Sequence, residues 1–134
     1  MLSSSKVLRS SPVQAVASGK GSGTPGRRGG IVPAQKQELS SLVSYQSGSV
    51  ISRTIIDHKT GTVTLFAFDE GEGLSEHTAA FDALLHVLEG KATVTIAGER
   101  NDLGEGEAII LPSGKTHSVR ATTRFKMLLT MIRS

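Results

Sequence analysis

The chain contains no cysteine and no tryptophan, and it has only one tyrosine and four phenylalanines. Without cysteine, disulfide bonds, thiolate metal sites and thiol catalysis are all excluded. No apolar run approaches the ~20 residues that a membrane-spanning helix needs, so we expect no membrane partner. So few aromatic side chains also provide no platform on which nucleic acid bases would stack.

Acidic residues are absent from the first 37 positions, which hold six Lys and Arg residues. From Glu38 onward, nine basic residues face all twelve acidic ones, a net charge of 9 − 12 = −3. The +3 charge of the whole chain therefore does not indicate a nucleic acid partner. The Ser- and Gly-rich composition of residues 1–37 predicts a disordered basic tail. Residues 38–134 are predicted to form one domain.

Two interpretations of this tail stay open. A basic, Ser-rich and acid-free N-terminus is typical of organelle transit peptides, and the alternative is a simple extension. We therefore expect a cytoplasmic protein, or an organellar one if residues 1–37 are a transit peptide. The tail also matches G-x-G-x-x-G at Gly21, Gly23 and Gly26, but Pro25 interrupts it and no strand precedes it. We interpret this match as low complexity, not as a dinucleotide site.

Short β-rich segments separated by turn signals dominate the chain after residue 50. These segments are residues 50–56, 62–68, 81–88, 92–97, 108–111, 117–121 and 125–132. Turns that recur about every ten residues predict an all-β sandwich or closed barrel. The segment 81–88 is nearly all apolar, which predicts a strand covered on both faces. Residues 35–44 are expected to form a short helix or an arm.

Two spaced patterns of glycine and histidine carry the functional signal. In the first, Gly71 is followed after five residues by His77, and then by Ala79, Ala83 and Gly90. Glycine at such positions permits the positive φ of tight turns that reverse strands.

The second pattern begins at Gly106 and continues through Pro112, Gly114, His117 and Ala121. Proline fixes φ where a strand ends, and glycine permits a sharp bend after it. This bend is expected to direct His117 into the mouth of the barrel.

Together the two patterns resemble the paired motifs of the cupin superfamily, G-x5-H-x-H-x3-E-x6-G and G-x5-P-x-G-x2-H-x3-N, and every spacing agrees. The resemblance covers roughly residues 49–132. It implies a small single-domain cupin, whose fold is a double-stranded β-helix, or jelly-roll barrel, around a pocket. The resemblance also implies a homodimer.

The departures from the motifs concern the metal ligands. In cupins, three histidines and one glutamate of these motifs bind a metal ion. Here Ala79 replaces one histidine and Ala83 replaces the glutamate, so that only His77 and His117 remain. Two imidazoles make a weak site, because stable protein sites usually have at least three ligands. The implied cofactor is a divalent transition metal (Fe, Mn, Ni, Cu or Zn), or none.

Two neighbouring side chains are candidates for the missing ligands. Asp82 is adjacent to the lost glutamate position, and His86 lies three residues beyond that position. On a regular strand both side chains face away from the pocket. They are ligands only if a bulge shifts the register of the strand.

These residues leave three functions open, and the sequence does not decide whether the protein is an enzyme. The first is a barrel that binds a small molecule, with a degenerate or absent metal site. Its predicted lining is Ala79, Ala83, Leu85 and Val87, with His77 and His117 as polar contacts. The second is a metal-dependent dioxygenase, isomerase or cyclase that uses the two histidines. The third is a non-catalytic sensing or interaction module.

Overall fold

Residues 31–133, which this computed structural model describes, form nine β-strands and one 3₁₀ turn at Leu39–Leu42. The strands are β1 (Val50–His58), β2 (Gly61–Phe68), β3 (Gly73–His77), β4 (Ala83–Glu89), β5 (Ala92–Ile96), β6 (Glu99–Leu103), β7 (Ala108–Leu111), β8 (His117–Ala121) and β9 (Phe125–Ile132).

The strands form two antiparallel sheets. One has five strands in the order β1-β2-β9-β4-β7, and the other has four in the order β3-β8-β5-β6. From β2 to β5, and again from β6 to β9, each successive strand lies in the other sheet, which is the connectivity of a jelly roll. The predicted all-β, double-stranded β-helix is therefore confirmed.

The inner faces of the two sheets pack into one apolar core. Alternate residues of each strand point inward, because successive side chains of a strand lie on opposite faces. Phe68 and Phe125 stack with ring centroids 4.6 Å apart, and both are fully buried. Each fully buried side chain of this size contributes about 1.5–3 kcal/mol of hydrophobic stabilisation.

Some sequence-based expectations were incomplete. Strands β7, β8 and β9 agree with the predicted segments, but β3 and β6 were not predicted as strands. Both are polar, with sequences GLSEH and ERNDL. Their strand conformation therefore comes from pairing with β8 and β5, since their intrinsic strand propensity is low. The prediction that β4 is covered on both faces was wrong at Leu84, whose side chain is 42% exposed.

The segment before β1, residues 35–49, forms an N-terminal arm that covers part of the outer face of the five-stranded sheet. Its side chains Val43 and Tyr45 pack with outer-face residues of β1, β2 and β4. Lys126 donates from Nζ to the carbonyl of Ser40 at 2.5 Å, and the Tyr45 hydroxyl donates to Glu89 Oε2 at 2.6 Å. The segment 35–44 is therefore an arm with a single 3₁₀ turn.

The predicted tail, including the glycine pattern at residues 21–26, falls largely on residues 1–30, which lie outside the described part. Its boundary at residue 37 stays a prediction. Within residues 31–133, no helix has the length and apolar character required to cross a membrane.

Candidate ligand site

The two motif histidines lie side by side at one end of the four-stranded sheet. Strand β3 ends at His77 and strand β8 begins at His117, and the two residues are register partners. Their rings meet edge to face, with centroids 4.5 Å apart and planes inclined by 73°. Both side chains lie on the inner face, because Ile96, the other register partner of His117, packs against the core.

Two loops hold this end of the barrel together. The loop after β3 and the loop before β8 are joined by a hydrogen bond from Gly114 N to the carbonyl of Ala79, at 2.9 Å. The carboxylate of Asp82 accepts a second one from Ser113 N at 2.8 Å. Gly114 adopts φ +78°, as its motif position predicts. These contacts fix the positions of the two loops that carry the histidines.

A backbone contact selects the tautomer of the neutral His77 ring. Its Nδ1 lies 2.7 Å from the carbonyl oxygen of Ser75. A carbonyl can only accept, so Nδ1 carries the proton and the neutral ring presents a lone pair at Nε2. This Nε2 is buried and has no hydrogen-bond partner among residues 31–133.

His117 is more deeply enclosed, with only 3% of its surface exposed. Burial lowers the pKa of His117 below its usual value of 6.5, and the neighbouring imidazole of His77 lowers it further, while a weaker backbone contact with Lys115 opposes the shift. His117 is therefore neutral at physiological pH. Its Nδ1, like Nε2 of His77, is buried without a partner among the described residues.

The donor set of this pair does not fit a metal centre completed by the protein. Within residues 31–133, no group of three or more His, Cys, Asp or Glu side chains is arranged to hold an ion. Ala79 and Ala83 stand at two of the four ligand positions of the motifs and offer no donor atom. Two imidazoles are at least one ligand short of the usual protein site.

The four predicted apolar lining residues lie in two settings. Ala83, Leu85 and Val87 are on the inner face of β4, and the last two are fully buried in the core. Ala79 is partly buried in the loop after β3. Leu85 and Val87 thus support the deep wall of the barrel, whereas Ala79 and Ala83 lie nearer its histidine end.

Neither candidate for the missing ligands joins the histidine pair. Strand β4 is regular from Ala83 to Val87, so His86 lies on the outer face, between Leu128 of β9 and Ala108 of β7. Asp82 is exposed, and its carboxylate is used by the loop before β8.

A pair of threonines inside the barrel was missed by sequence reasoning. Thr54 of β1 and Thr64 of β2 are register partners whose hydroxyl oxygens are 3.1 Å apart. They share the inner face with Leu129, the register partner of Thr64. The alternation of Thr64 with Phe66 and Phe68 was the available signal, since it places all three on one face.

Comparisons with known proteins agree with the fold. A family model for the cupin domain matches residues 64–133. An uncharacterized protein of Aquifex aeolicus is 28% identical over 99 residues, which span 72% of this chain and 82% of the relative.

Two solved structures are also similar. A conserved Streptococcus pyogenes protein of unknown function has a TM-score of 0.74 and 30% identity, covering 78% of this chain and 91% of that one. A cupin superfamily protein from Desulfitobacterium hafniense has a TM-score of 0.74 and 27% identity, covering 78% and 95% respectively. Since the family model spans 70 of 134 residues on a barrel of the expected strand order, this chain belongs to the cupin family.

Proposed function

We propose that the barrel binds a small, largely apolar molecule with a hydrogen-bond donor, and that no metal completes the site. The observation that carries this proposal is the pair of buried nitrogens, Nε2 of His77 and Nδ1 of His117, without partners among residues 31–133. A buried polar atom without a partner costs about 1–3 kcal/mol. A ligand that makes the missing hydrogen bond recovers that cost.

The state of the His77 ring defines what the ligand must offer. In the neutral ring, Nδ1–H is donated to Ser75 and Nε2 can only accept, so that a hydroxyl or an N–H group is its complement. The neutral His117 supplies no positive charge that would favour a carboxylate. An uncharged alcohol or phenol therefore fits this pair better than an anion.

The wall beside the histidines favours an apolar ligand body. Ala83 lies between its register partners Leu111 and Met131 on the inner face. The motif has a glutamate at this position, so the alanine makes the wall both shorter and less polar. Ligand pockets are typically apolar with a few polar groups that orient the ligand.

Matched pairs of probes test this proposal. We would titrate the protein with phenol and toluene, and with cyclohexanol and methylcyclohexane, following the ring signals of His77 and His117 by NMR. The hydroxyl compounds should bind about five- to tenfold more tightly, as one hydrogen bond of ~1 kcal/mol implies. His77→Ala should remove this preference, and His86→Ala on the outer face should retain it. Equal affinities within both pairs, or no saturable shift at either ring, would contradict the proposal.

We further propose that two copies of the chain associate through the outer face of the five-stranded sheet. One row of register partners crosses all five strands: Ile56, Val63, Thr130, Leu84 and Ile110. Three of its members are large and exposed, at 47% for Ile56, 42% for Leu84 and 58% for Ile110. The N-terminal arm covers Ile51, Leu65 and Ala67 on this face and does not cover the row.

A second copy suits this row because the row is neutral and nearly symmetric. It contains no charged side chain, so self-association buries no unpaired charge. A twofold axis through Thr130 would place Ile110 against Ile56 of a second copy. Four strand spacings of about 4.8 Å give the row a length of roughly 19 Å, enough for the centre of an interface.

A further inference from the structure

A groove of about 370 Å³ lies on the outer face of the four-stranded sheet, on the opposite side from the barrel interior. Its lining side chains and glycine are Gly73, Ser75, Thr93, Thr95, Ser118 and Arg120. On β8, Val119 points into the core, so Ser118 and Arg120 point outward. The volume lies within the ~300–1,000 Å³ range of ligand pockets.

The guanidinium of Arg120 has no hydrogen bond or ion pair among residues 31–133. Its register partners are Gly73 on β3 and Thr93 on β5, and neither carries a charge. By contrast, Arg100 on β6 is neutralised by Asp102 at 3.2 Å. Arg120 is therefore the free positive charge of this groove.

The flank of Arg120 is open for a structural reason. A Cβ atom on Gly73 would lie 2.1 Å from the carbonyl oxygen of Val119, so no larger residue fits without movement of the backbone. Because Gly73 has no side chain, the register partner of Arg120 on β3 presents no group that could pair with the guanidinium.

Three hydroxyl groups in the groove also lack a partner in the part of the chain that the structure describes. The side chains of Ser75, Thr95 and Ser118 make no hydrogen bond within the described residues, whereas Thr93 donates to Asp102 at 2.9 Å. Each free hydroxyl can donate or accept. Among the described residues, the groove thus gathers one unpaired guanidinium and three unpaired hydroxyls on adjacent strands.

We propose that this groove binds the oxyanion end of a small molecule, a carboxylate or a phosphate monoester. A guanidinium presents its N–H groups as a planar fork that matches two oxygens of such a group, and charge-assisted hydrogen bonds are about twice as strong as neutral ones. The hydroxyls supply further donors to the remaining oxygens. Since residues 38–134 carry a net charge of 9 − 12 = −3, long-range attraction does not explain anion binding here, and the local groups must do so.

The test is an amide NMR titration of the full chain with sodium phosphate and, separately, with sodium acetate, at ionic strength held constant with sodium chloride. Saturable shifts are expected at Thr93, Ser118 and Arg120, with the ring signals of His77 and His117 unmoved. Arg120→Gln should weaken binding about tenfold or more, as loss of a charged hydrogen bond implies. Lys59→Gln, in the exposed turn between β1 and β2, removes the same charge away from the groove and should leave the affinity unchanged.

Stronger binding of phosphate than of acetate would indicate a phosphate monoester, and similar binding of both would indicate any small oxyanion. Shifts spread evenly over all arginines, or an Arg120→Gln variant that binds as the wild type does, would overturn the proposal. Shifts confined to His77 and His117 would place the anion in the barrel. That result would overturn both this site and the uncharged ligand proposed above.

Discussion

His77 and His117 are register partners whose rings meet edge to face at a centroid distance of 4.5 Å. The contact brings together two of the four ligand positions of the cupin motifs, while alanines occupy the other two. What remains is a pair of imidazoles, each with a buried nitrogen that has no partner within residues 31–133. The first prediction concerns the proton on one of these rings.

In the free protein, His77 should be the Nδ1–H tautomer, because the Ser75 carbonyl at 2.7 Å accepts only from a protonated Nδ1. Long-range ¹H–¹⁵N correlation spectra distinguish the two ring nitrogens and measure this directly. A His77 ring protonated at Nε2 in the neutral form would contradict the assignment.

The stability of the fold should depend on pH through His117. Burial and the His77 imidazole lower the pKa of His117 in the folded state below 6.5. As pH falls below about 6.5, the unfolded chain takes up a proton that the folded chain does not, so the free energy of unfolding decreases. The decrease should end once pH passes below the folded-state pKa.

Urea unfolding between about pH 7.5 and pH 5 measures this dependence. His117→Gln should flatten the acid limb of the profile, and His58→Gln, at an exposed position, should leave it unchanged. An unaltered slope in His117→Gln would show that another group causes the loss.

Restoring the missing ligands should create a metal site. Ala79→His with Ala83→Glu rebuilds the donor set of the cupin motif around His77 and His117. The variant should bind about one equivalent of a divalent transition ion, since four ligands satisfy the usual coordination. Without metal it should be less stable by several kcal/mol, because Ala83 is only 5% exposed and a buried carboxylate is costly.

The matched control for this gain is Ala79→His with Ala83→Gln, which has a similar shape but no carboxylate. It should bind the ion much more weakly. If the His/Glu variant folds and still takes up no ion, the side chain at position 83 does not reach the histidine pair.

Self-association should depend on the apolar row of the five-stranded sheet. Leu84→Glu or Ile110→Glu would bury a carboxylate between the copies and should weaken the dimer by about two orders of magnitude. Sedimentation across a dilution series measures the effect. Thr95→Glu, on the outer face of the other sheet, is the control. A wild-type chain that stays monomeric at every concentration would contradict the interface.

The motif spacings and turn signals were sufficient to predict much of this architecture. Strands β7 to β9 were visible as short β-rich runs, and glycine or proline precedes the first two of them. The parity of strand β4 also placed His86 outside the barrel, since a regular strand alternates its faces.

Features that depend on contacts between distant segments could not be predicted from the sequence. Strand β6 is polar, and it exists because β5 provides its hydrogen-bonding partner. The contact of His77 with Ser75 depends on an irregularity in the register of β3, and the groove at Arg120 depends on three strands lying side by side. No local pattern encodes these arrangements.

The histidine pair is proposed to contact a small molecule and not to hold a metal ion. A measurement of metal content is the most direct test of this proposal. Protein purified without an affinity tag would be equilibrated with Mn, Fe, Ni, Cu or Zn, separated from free ion and analysed by elemental analysis. We predict far less than one equivalent of every ion, with no difference between the wild type and His77→Ala/His117→Ala. Near-stoichiometric metal that is lost in the double variant would contradict the proposal and establish a metal-dependent cupin.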